Sequence, residues 1–236
     1  MANDYFQFRQ FVVRQKGCAM KVGTDGTLLG SWAQAPAGGC RILDVGTGTG
    51  LIALMMAQRF PEAHVTGIDI DADAVDQAAE NALESPFKDR VTIRLCDVVS
   101  LEDAVGFEAI VCNPPFFDHS LTCPDQQRTE ARHTVSLSYR QLMESAFRLM
   151  KADGSLSVII PSDCRSRLES EAHLRGFFIS LLCSVQTTPK KAPKRYMIEF
   201  RKHPVKEIDK ECGILELSPQ VRSPWYQQLT NEFYIK

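Results

Sequence analysis

Between Arg41 and Lys202, short apolar runs alternate with segments of helical period, and this alternation restricts the possible folds more than any other feature of the chain. Residues 41–46 (RILDVG), 64–69 (HVTGID), 91–97 (VTIRLCD), 107–112 (FEAIVC) and 154–161 (GSLSVIIP) read as strands. Residues 51–60, the alanine-rich stretch 72–84, and segments near 138–150 and 163–176 read as the helices between them. Strand, helix and strand in succession is the pattern of a parallel sheet covered by helices. The last two strands, 178–186 (FISLLCSVQ) and 195–202 (RYMIEFRK), are joined only by TTPKKAPK. That connection is too short for a crossover helix, so this pair is expected as an antiparallel hairpin. The expected architecture is α/β: a doubly wound, mostly parallel, seven-stranded Rossmann-like sheet with an antiparallel terminal hairpin.

The run 107–112 stops at Asn113-Pro114-Pro115-Phe116, where two prolines forbid both a helix and further ladder pairing. The chain therefore leaves the sheet as a fixed, extended loop that carries a side-chain amide, free backbone carbonyls and two rings, Phe116 and Phe117. Carbonyl oxygens accept the hydrogens of a flat exocyclic NH2 group while a ring stacks on the plane that bears it. Such parts suit methylation of an aromatic amine. The lone pair of that nitrogen is delocalised, so acceptors that pull on its N–H bonds favour the tetrahedral, attacking form, and no protein nucleophile is needed. Taken alone, the same residues also fit a Pro-Pro turn beside core phenylalanines.

The first strand turns into the first helix through Asp44-Val45-Gly46-Thr47-Gly48-Thr49-Gly50. Glycine there lets backbone approach a ligand, and the helix N-terminus offers free N–H groups to a carboxylate or phosphate. The spacing is G-x-G-x-G, with Leu51 where the dinucleotide fingerprint has its third glycine, and a nicotinamide dinucleotide is the competing ligand. Asp44, Asp69 and Asp97 close the first three strands. Carboxyl ends of parallel strands line one crevice, so all three carboxylates face one ligand site. Asp69 is placed to hold both hydroxyls of a ribose, Asp97 to accept from an adenine amino group, and Asp44 to meet an ammonium. S-adenosylmethionine carries that set of groups and is the expected cofactor; singly, each aspartate also fits a helix cap or a solvated loop.

A chain of 236 residues, 44% hydrophobic and 24% charged, can bury a full core. Residues 36–39 form the one clear linker. It divides an N-terminal hairpin and helix, 1–35, from a core domain, 36–205, which a C-terminal extension, 206–236, follows. The hairpin is expected over residues 5–22 with its turn at Lys16-Gly17, and the helix after the capping groups of residues 23–26. No apolar run approaches the roughly 20 residues that cross a bilayer, and no basic-then-apolar leader opens the chain, so a cytoplasmic protein without a membrane partner is expected. The eight cysteines sit singly, with no C-x-x-C pair and no histidine at metal-ligand spacing. They are expected as buried free thiols, with no metal site. Cys112, beside the proline loop, is a candidate nucleophile by position, but its alternation with Val111 and Ile110 fits a core thiol better.

The net charge of −2 is unevenly spread. Residues 186–206 hold Lys190, Lys191, Lys194, Arg195, Arg201, Lys202 and Lys206 against Glu199 alone, a net +6 that leaves −8 on the remainder. A polyanion can still bind that face. Lys190, Lys191, Lys194 and Arg195 are its candidate contacts.

DVGTGTG, the strand-end Asp69 and Asp97, the NPPF tetrapeptide and the terminal hairpin together resemble the class I S-adenosylmethionine-dependent methyltransferases over residues 41–202. That family adds the hairpin as an antiparallel seventh strand. The resemblance implies that the side-chain carbonyl of Asn113 and the backbone carbonyl of Pro114 hold the acceptor amine, with Pro115 and Phe116 completing the catalytic tetrapeptide and Phe116 stacking on the acceptor ring. It implies cofactor contacts from Lys21, Asp25, Gly26, Asp44, Gly46, Gly48, Gly50, Asp69, Asp97 and Asn113. The tetrapeptide alone admits N6-adenine, N2-guanine and glutamine-N5 acceptors. The pattern F-x-V-x-Q-x-x-x-A-M-K-V-G-T-D-G-x-L-L-G-x-W over residues 11–32, with ARHT at 131–134, is similar to the bacterial tRNA1(Val) (adenine-N6)-methyltransferases, which modify the adenosine 3′ of the anticodon. By this likeness residues 21–26 close over the methionine end of the cofactor; a helix start that merely packs on the sheet is the alternative. The implied partner is a tRNA anticodon stem-loop met by Phe116, Phe117, Arg132 and the basic strip, with the target base turned out of its stack. A monomer is assumed. The rival readings are an rRNA guanine-N2 or protein glutamine-N5 methyltransferase, and a non-catalytic RNA-binding module.

Overall fold

The computed structural model describes residues 4–16, 21–115 and 137–235. It opens with β1 (Tyr5–Gln7) and β2 (Val12–Arg14), followed by helix α1 (Thr24–Trp32). The alternating core then runs β3 (Arg41–Val45), α2 (Leu51–Arg59), β4 (His64–Asp69), α3 (Ala72–Leu83), β5 (Val91–Leu95) and β6 (Phe107–Cys112). It continues with α4 (Tyr139–Leu149), β7 (Met150–Pro161), a 3-10 turn (Ser162–Cys164), α5 (Arg165–Leu174), β8 (Phe178–Gln186) and β9 (Arg195–Arg201). The C-terminal segment adds β10 (Asp209–Ile214), a small ribbon of β11 (Glu216–Ser218) and β12 (Val221–Arg222), and α6 (Pro224–Thr230). Among the described residues no helix is long and apolar enough to cross a membrane.

The central sheet has the order β10-β8-β9-β7-β6-β3-β4-β5. Every neighbouring pair is parallel except β7 with β9 and β8 with β9, which leaves β9 alone running against the rest. The seven expected strands are all present, with β8 and β9 as the antiparallel hairpin, and β10 extends the sheet to eight. Its sequence, DKECGI, is polar and mostly exposed and carries no apolar run. Backbone pairing makes it a strand: it lies in register on β8 from Asp209 opposite Leu181 to Ile214 opposite Gln186, and covers that edge.

Strand periodicity divides the core into two faces. Ile42, Ala109 and Val111 point toward α1, α2 and the two chain ends, whereas Leu43, Val45, Ile110 and Cys112 point toward α4 and α5. Helix α2 is buried along its length from Leu51 to Ala57, which is why its sequence is apolar on all sides. Helix α1 lies tightly on it because Gly26 and Gly30, one turn apart, face the contact. A Cβ at Gly26 would stand 3.0 Å from Leu51 Cδ2, and one at Gly30 2.7 Å from Met55 Sδ. Phe8, Phe11, Tyr226 and Phe233 from the two ends of the chain join the same cluster. Helix α4 begins with a capping box, in which Ser138 Oγ accepts from Gln141 N at 3.2 Å and Gln141 Oε1 accepts from Ser138 N at 3.0 Å.

The N-terminal hairpin turns elsewhere than expected. Tyr5 faces Arg14 and Gln7 faces Val12, so the β1–β2 reversal spans residues 8–11, closed by Phe8 N donating to Phe11 O at 2.9 Å, while Gly17 of the expected turn lies outside the described residues. Burial decides the turn: Phe8 and Phe11 stack with centroids 4.8 Å apart and put Arg9 and Gln10 outside.

Candidate active site at the carboxyl ends of the strands

The chain runs from β3 through β4 to β5 on one side of the sheet and from β6 to β7 on the other. The neighbours β3 and β6 therefore flank the point where connections diverge, the place in such sheets where a crevice opens. Val45 is level with both Ile68 and Cys112, so Gly46, Asp69 and Asn113 are each the next residue on three adjacent strands. Asp69 is level with Leu95, two residues before Asp97. On the other flank Pro161, ending β7, faces Arg195, which opens β9, so residues 187–194 emerge at this same end.

The glycine loop uses backbone that side chains rarely adopt: φ is +69° at Gly46, +54° at Gly48 and +79° at Gly50. Gly46 N and Thr47 N both donate to Ile68 O at 2.9 Å, which folds the loop over the end of β4. A Cβ at Gly46 or Gly48 would meet nothing within 4 Å, so both glycines leave open space beside bare backbone. Gly50 differs, because a Cβ there would stand 3.3 Å from Ala78 Cβ on α3. Close approach also needs Gly67 in β4, where a Cβ would be 2.7 Å from Thr47 Oγ1.

Asp44 lies wholly buried beneath this loop. Its Oδ2 accepts from Thr47 Oγ1 at 2.7 Å and from Ala53 N, in the first turn of α2, at 3.1 Å. Its Oδ1 is buried without a hydrogen-bond partner among the described residues. Burial pushes the carboxyl up to about 7, against those two hydrogen bonds and with a smaller upward push from the Asp69 charge. A buried acceptor with one open oxygen lacks a donor, and a ligand ammonium is a donor that would also favour the ionised form.

Asp69 is half-buried, with Oδ2 accepting from Gly48 N at 2.9 Å and Oδ1 from Asp71 N at 3.1 Å. It thus braces the glycine loop and the backbone of Asp71, the N-cap of α3, while keeping unused lone pairs. Asp97 is exposed, and its Oδ1 accepts from Val99 N at 2.9 Å in a local turn that Arg148 supports from α4 by donating to the carbonyls of Val98, Val99 and Leu101.

Asn113 Oδ1 is the second buried side-chain oxygen in this crevice without a hydrogen-bond partner among the described residues. Its neighbour Pro114 is buried and Pro115 exposed. Cys112 is fully enclosed, and burial, with the charges of Asp44 and Asp69, holds its thiol well above the usual range. It is therefore a neutral core thiol rather than a thiolate nucleophile. Phe116, Phe117 and Arg132 lie outside the described residues.

Lys21 is exposed, and Gly26 presents its bare Cα to Leu51, the residue that follows the glycine loop. Asp25 is engaged by Arg195, whose Nε lies 2.9 Å from Asp25 Oδ2. The basic strip is correspondingly uneven. Lys190, Lys191 and Lys194 are exposed on the loop before β9, while Arg201 pairs with buried Glu199 at 3.0 Å and Lys202 donates to Met150 O below the Phe147 ring.

Three supporting residues were not singled out from the sequence, Thr47 although it lies within the glycine-loop motif. Thr47 holds Asp44. Asn81, buried in α3, accepts from Arg14 N at 2.8 Å and donates to Arg14 O and Thr49 O, both at 2.9 Å, which ties the N-terminal hairpin to the glycine loop. Arg148 is the third. An amide within an alanine-rich helix and an arginine near a helix C-terminus are too common to point anywhere without a partner in space.

Residues 22–181 match the family model of the methyltransferase small domain. The chain is 46% identical over 239 residues to a tRNA1(Val) (adenine(37)-N6)-methyltransferase of Phocaeicola vulgatus, covering 100% of this chain and 99% of the relative. It is 43% identical over 236 residues to the protein of that name from Bacteroides thetaiotaomicron, with the same coverage. Its fold matches the crystal structure of a predicted O-methyltransferase from Agrobacterium tumefaciens with a TM-score of 0.67 at 21% identity, covering 89% of this chain and 96% of that one. A glycine loop with open space before it, two unpartnered buried oxygens on adjacent strand ends and likeness along the whole chain lead to one conclusion: the protein belongs to the methyltransferase small-domain family.

Proposed function

We propose that this protein transfers a methyl group from S-adenosylmethionine to N6 of an adenine in tRNA, and that the acceptor is adenosine 37, beside the anticodon of tRNA1(Val). The reading is carried by the pair of buried, unpartnered oxygens, Asp44 Oδ1 and Asn113 Oδ1, on neighbouring strands, in a chain that matches tRNA1(Val) (adenine(37)-N6)-methyltransferases end to end. The residues fit the cofactor. Asp44 would meet its ammonium, Gly46 and Gly48 leave room for it against bare backbone, and Asp69 would accept from its ribose hydroxyls and Asp97 from its adenine amino group. Lys21, Asp25 and Gly26 would wall the methionine end, with Gly50 setting the start of α2.

When bound, the cofactor would supply an electrophilic methyl group on a sulfonium whose thioether is the leaving group, and the amine that takes the methyl would give up one proton to solvent. The protein's part is orientation and acceptance of hydrogen bonds. Asn113 Oδ1 and the Pro114 carbonyl would accept from the N6 amino group, which draws its lone pair out of conjugation. Pro114 and Pro115 keep those oxygens fixed. Phe116 would stack on the adenine, with Phe117 and Arg132 beside it, and Lys190, Lys191 and Lys194 would meet phosphates of the anticodon stem-loop.

The test is incubation with radiolabelled donor and, separately, total tRNA, ribosomes and a release factor, followed by nucleoside analysis. The expected product is N6-methyladenosine at position 37 of tRNA1(Val). Label in rRNA guanine or in protein, with none in tRNA, would overturn the assignment.

A further inference from the structure

We propose that the Asp25–Arg195 ion pair is a positioning device that couples donor binding to tRNA binding, an inference that rests on reading the crevice as the site of a tRNA methyltransferase. The pair joins two elements that nothing in their sequences relates. Asp25 lies in the first turn of α1, and the adjoining Gly26 packs on Leu51 at the mouth of the glycine loop, so a shift of α1 at this point moves the wall of the donor site. Arg195 is the residue at which the loop bearing Lys190, Lys191 and Lys194 returns to the sheet. It is level with Pro161, and its Nη1 donates to Lys194 O at 3.0 Å, so its guanidinium also braces the backbone of that loop. Its Nε reaches Asp25 Oδ2 at 2.9 Å across a separation of 170 residues.

The pair is partly shielded, with side-chain exposures of 32% for Arg195 and 22% for Asp25. An ion pair in that setting adds little to global stability, so tying one segment to another is its more telling consequence. A donor that settles residues 21–26 also settles Asp25. Arg195 and the lysine loop then have less freedom left to lose when phosphates arrive, and tRNA binds more tightly to the donor-loaded protein. Linkage makes the effect reciprocal: tRNA must raise donor affinity by the same factor.

The experiment is calorimetry of S-adenosylhomocysteine with the full-length protein, free and saturated with tRNA. In the native protein tRNA should raise affinity roughly three- to fivefold, the scale that one partly exposed ion pair can transmit. In Asp25→Asn that ratio should fall to about one, and Asp25→Glu should restore it. Melting curves of the variants establish that they are folded. Persistence of the ratio in Asp25→Asn, or an equal loss of donor affinity with and without tRNA, would overturn the proposal, the second outcome marking Asp25 as a plain donor contact. Failure of the native protein to bind tRNA at all would instead sink the reading of the site.

Discussion

Asp44 makes the sharpest prediction, because burial has moved its carboxyl into the neutral range. An aspartate that ordinarily titrates at 3.8 is pushed up to about 7 in the folded protein. The folded state therefore holds a proton that the unfolded state has released, and stability from this group falls as pH rises from about 4 through 7. Raising the carboxyl from 3.8 to about 7 corresponds to a swing on the order of 4 kcal/mol across that window. If the donor ammonium binds the ionised form, binding must expel that proton. Affinity for S-adenosylhomocysteine, which carries the same ammonium, should then fall about fivefold from pH 7 to 6 and about tenfold more from 6 to 5, following the fraction ionised. Calorimetry in buffers of different ionisation enthalpy should detect close to one proton released per ligand at pH 6. Asp44→Asn should bind more weakly and lose the pH dependence in both affinity and unfolding. Equal affinity at pH 5.5 and 7 with no buffer dependence would show that Oδ1 meets no cation, and the placement of the methionine end would have to be redrawn.

Asn113→Ala should leave S-adenosylhomocysteine affinity nearly intact yet lower turnover by about 10² or more, as expected when a preorganised acceptor is removed from a transition state; wild-type turnover would reduce the proline loop to a turn. Replacing Lys190, Lys191 and Lys194 together by glutamine should flatten the slope of log tRNA affinity against log salt by about 2–3 without changing donor affinity, and an unchanged slope would move the phosphate contacts elsewhere. Gly30→Ala should destabilise by roughly 1–3 kcal/mol in urea titrations despite alanine's better helix propensity, since its methyl group meets Met55; a more stable variant would show that α1 can lift from α2 freely.

The order of strands and helices, the antiparallel last pair and the placement of Gly46, Asp69 and Asn113 at strand ends were legible in the sequence because each rests on a local rule. Apolar runs form strands, a loop of eight residues cannot hold a crossover helix, and two prolines end a ladder. Three features needed the folded chain. β10 carries no apolar pattern and becomes a strand only because β8 presents an open edge. The turn of the N-terminal hairpin falls at residues 8–11, where Phe8 stacks on Phe11 inside the core. The division of labour among charged residues is likewise tertiary: the sequence offers seven basic side chains in one strip, and the fold commits Arg195 to Asp25, Arg201 to Glu199 and Lys202 to a carbonyl, leaving Lys190, Lys191 and Lys194 exposed on the loop and Lys206 exposed beyond β9. Residue types and short spacings thus determined which chemistry this chain can carry. That Asp44 Oδ1 and Asn113 Oδ1 are the crevice oxygens without a partner among the described residues was decided by the packing of β3 against β6 and α2, because desolvation and hydrogen-bond satisfaction depend on neighbours distant in sequence.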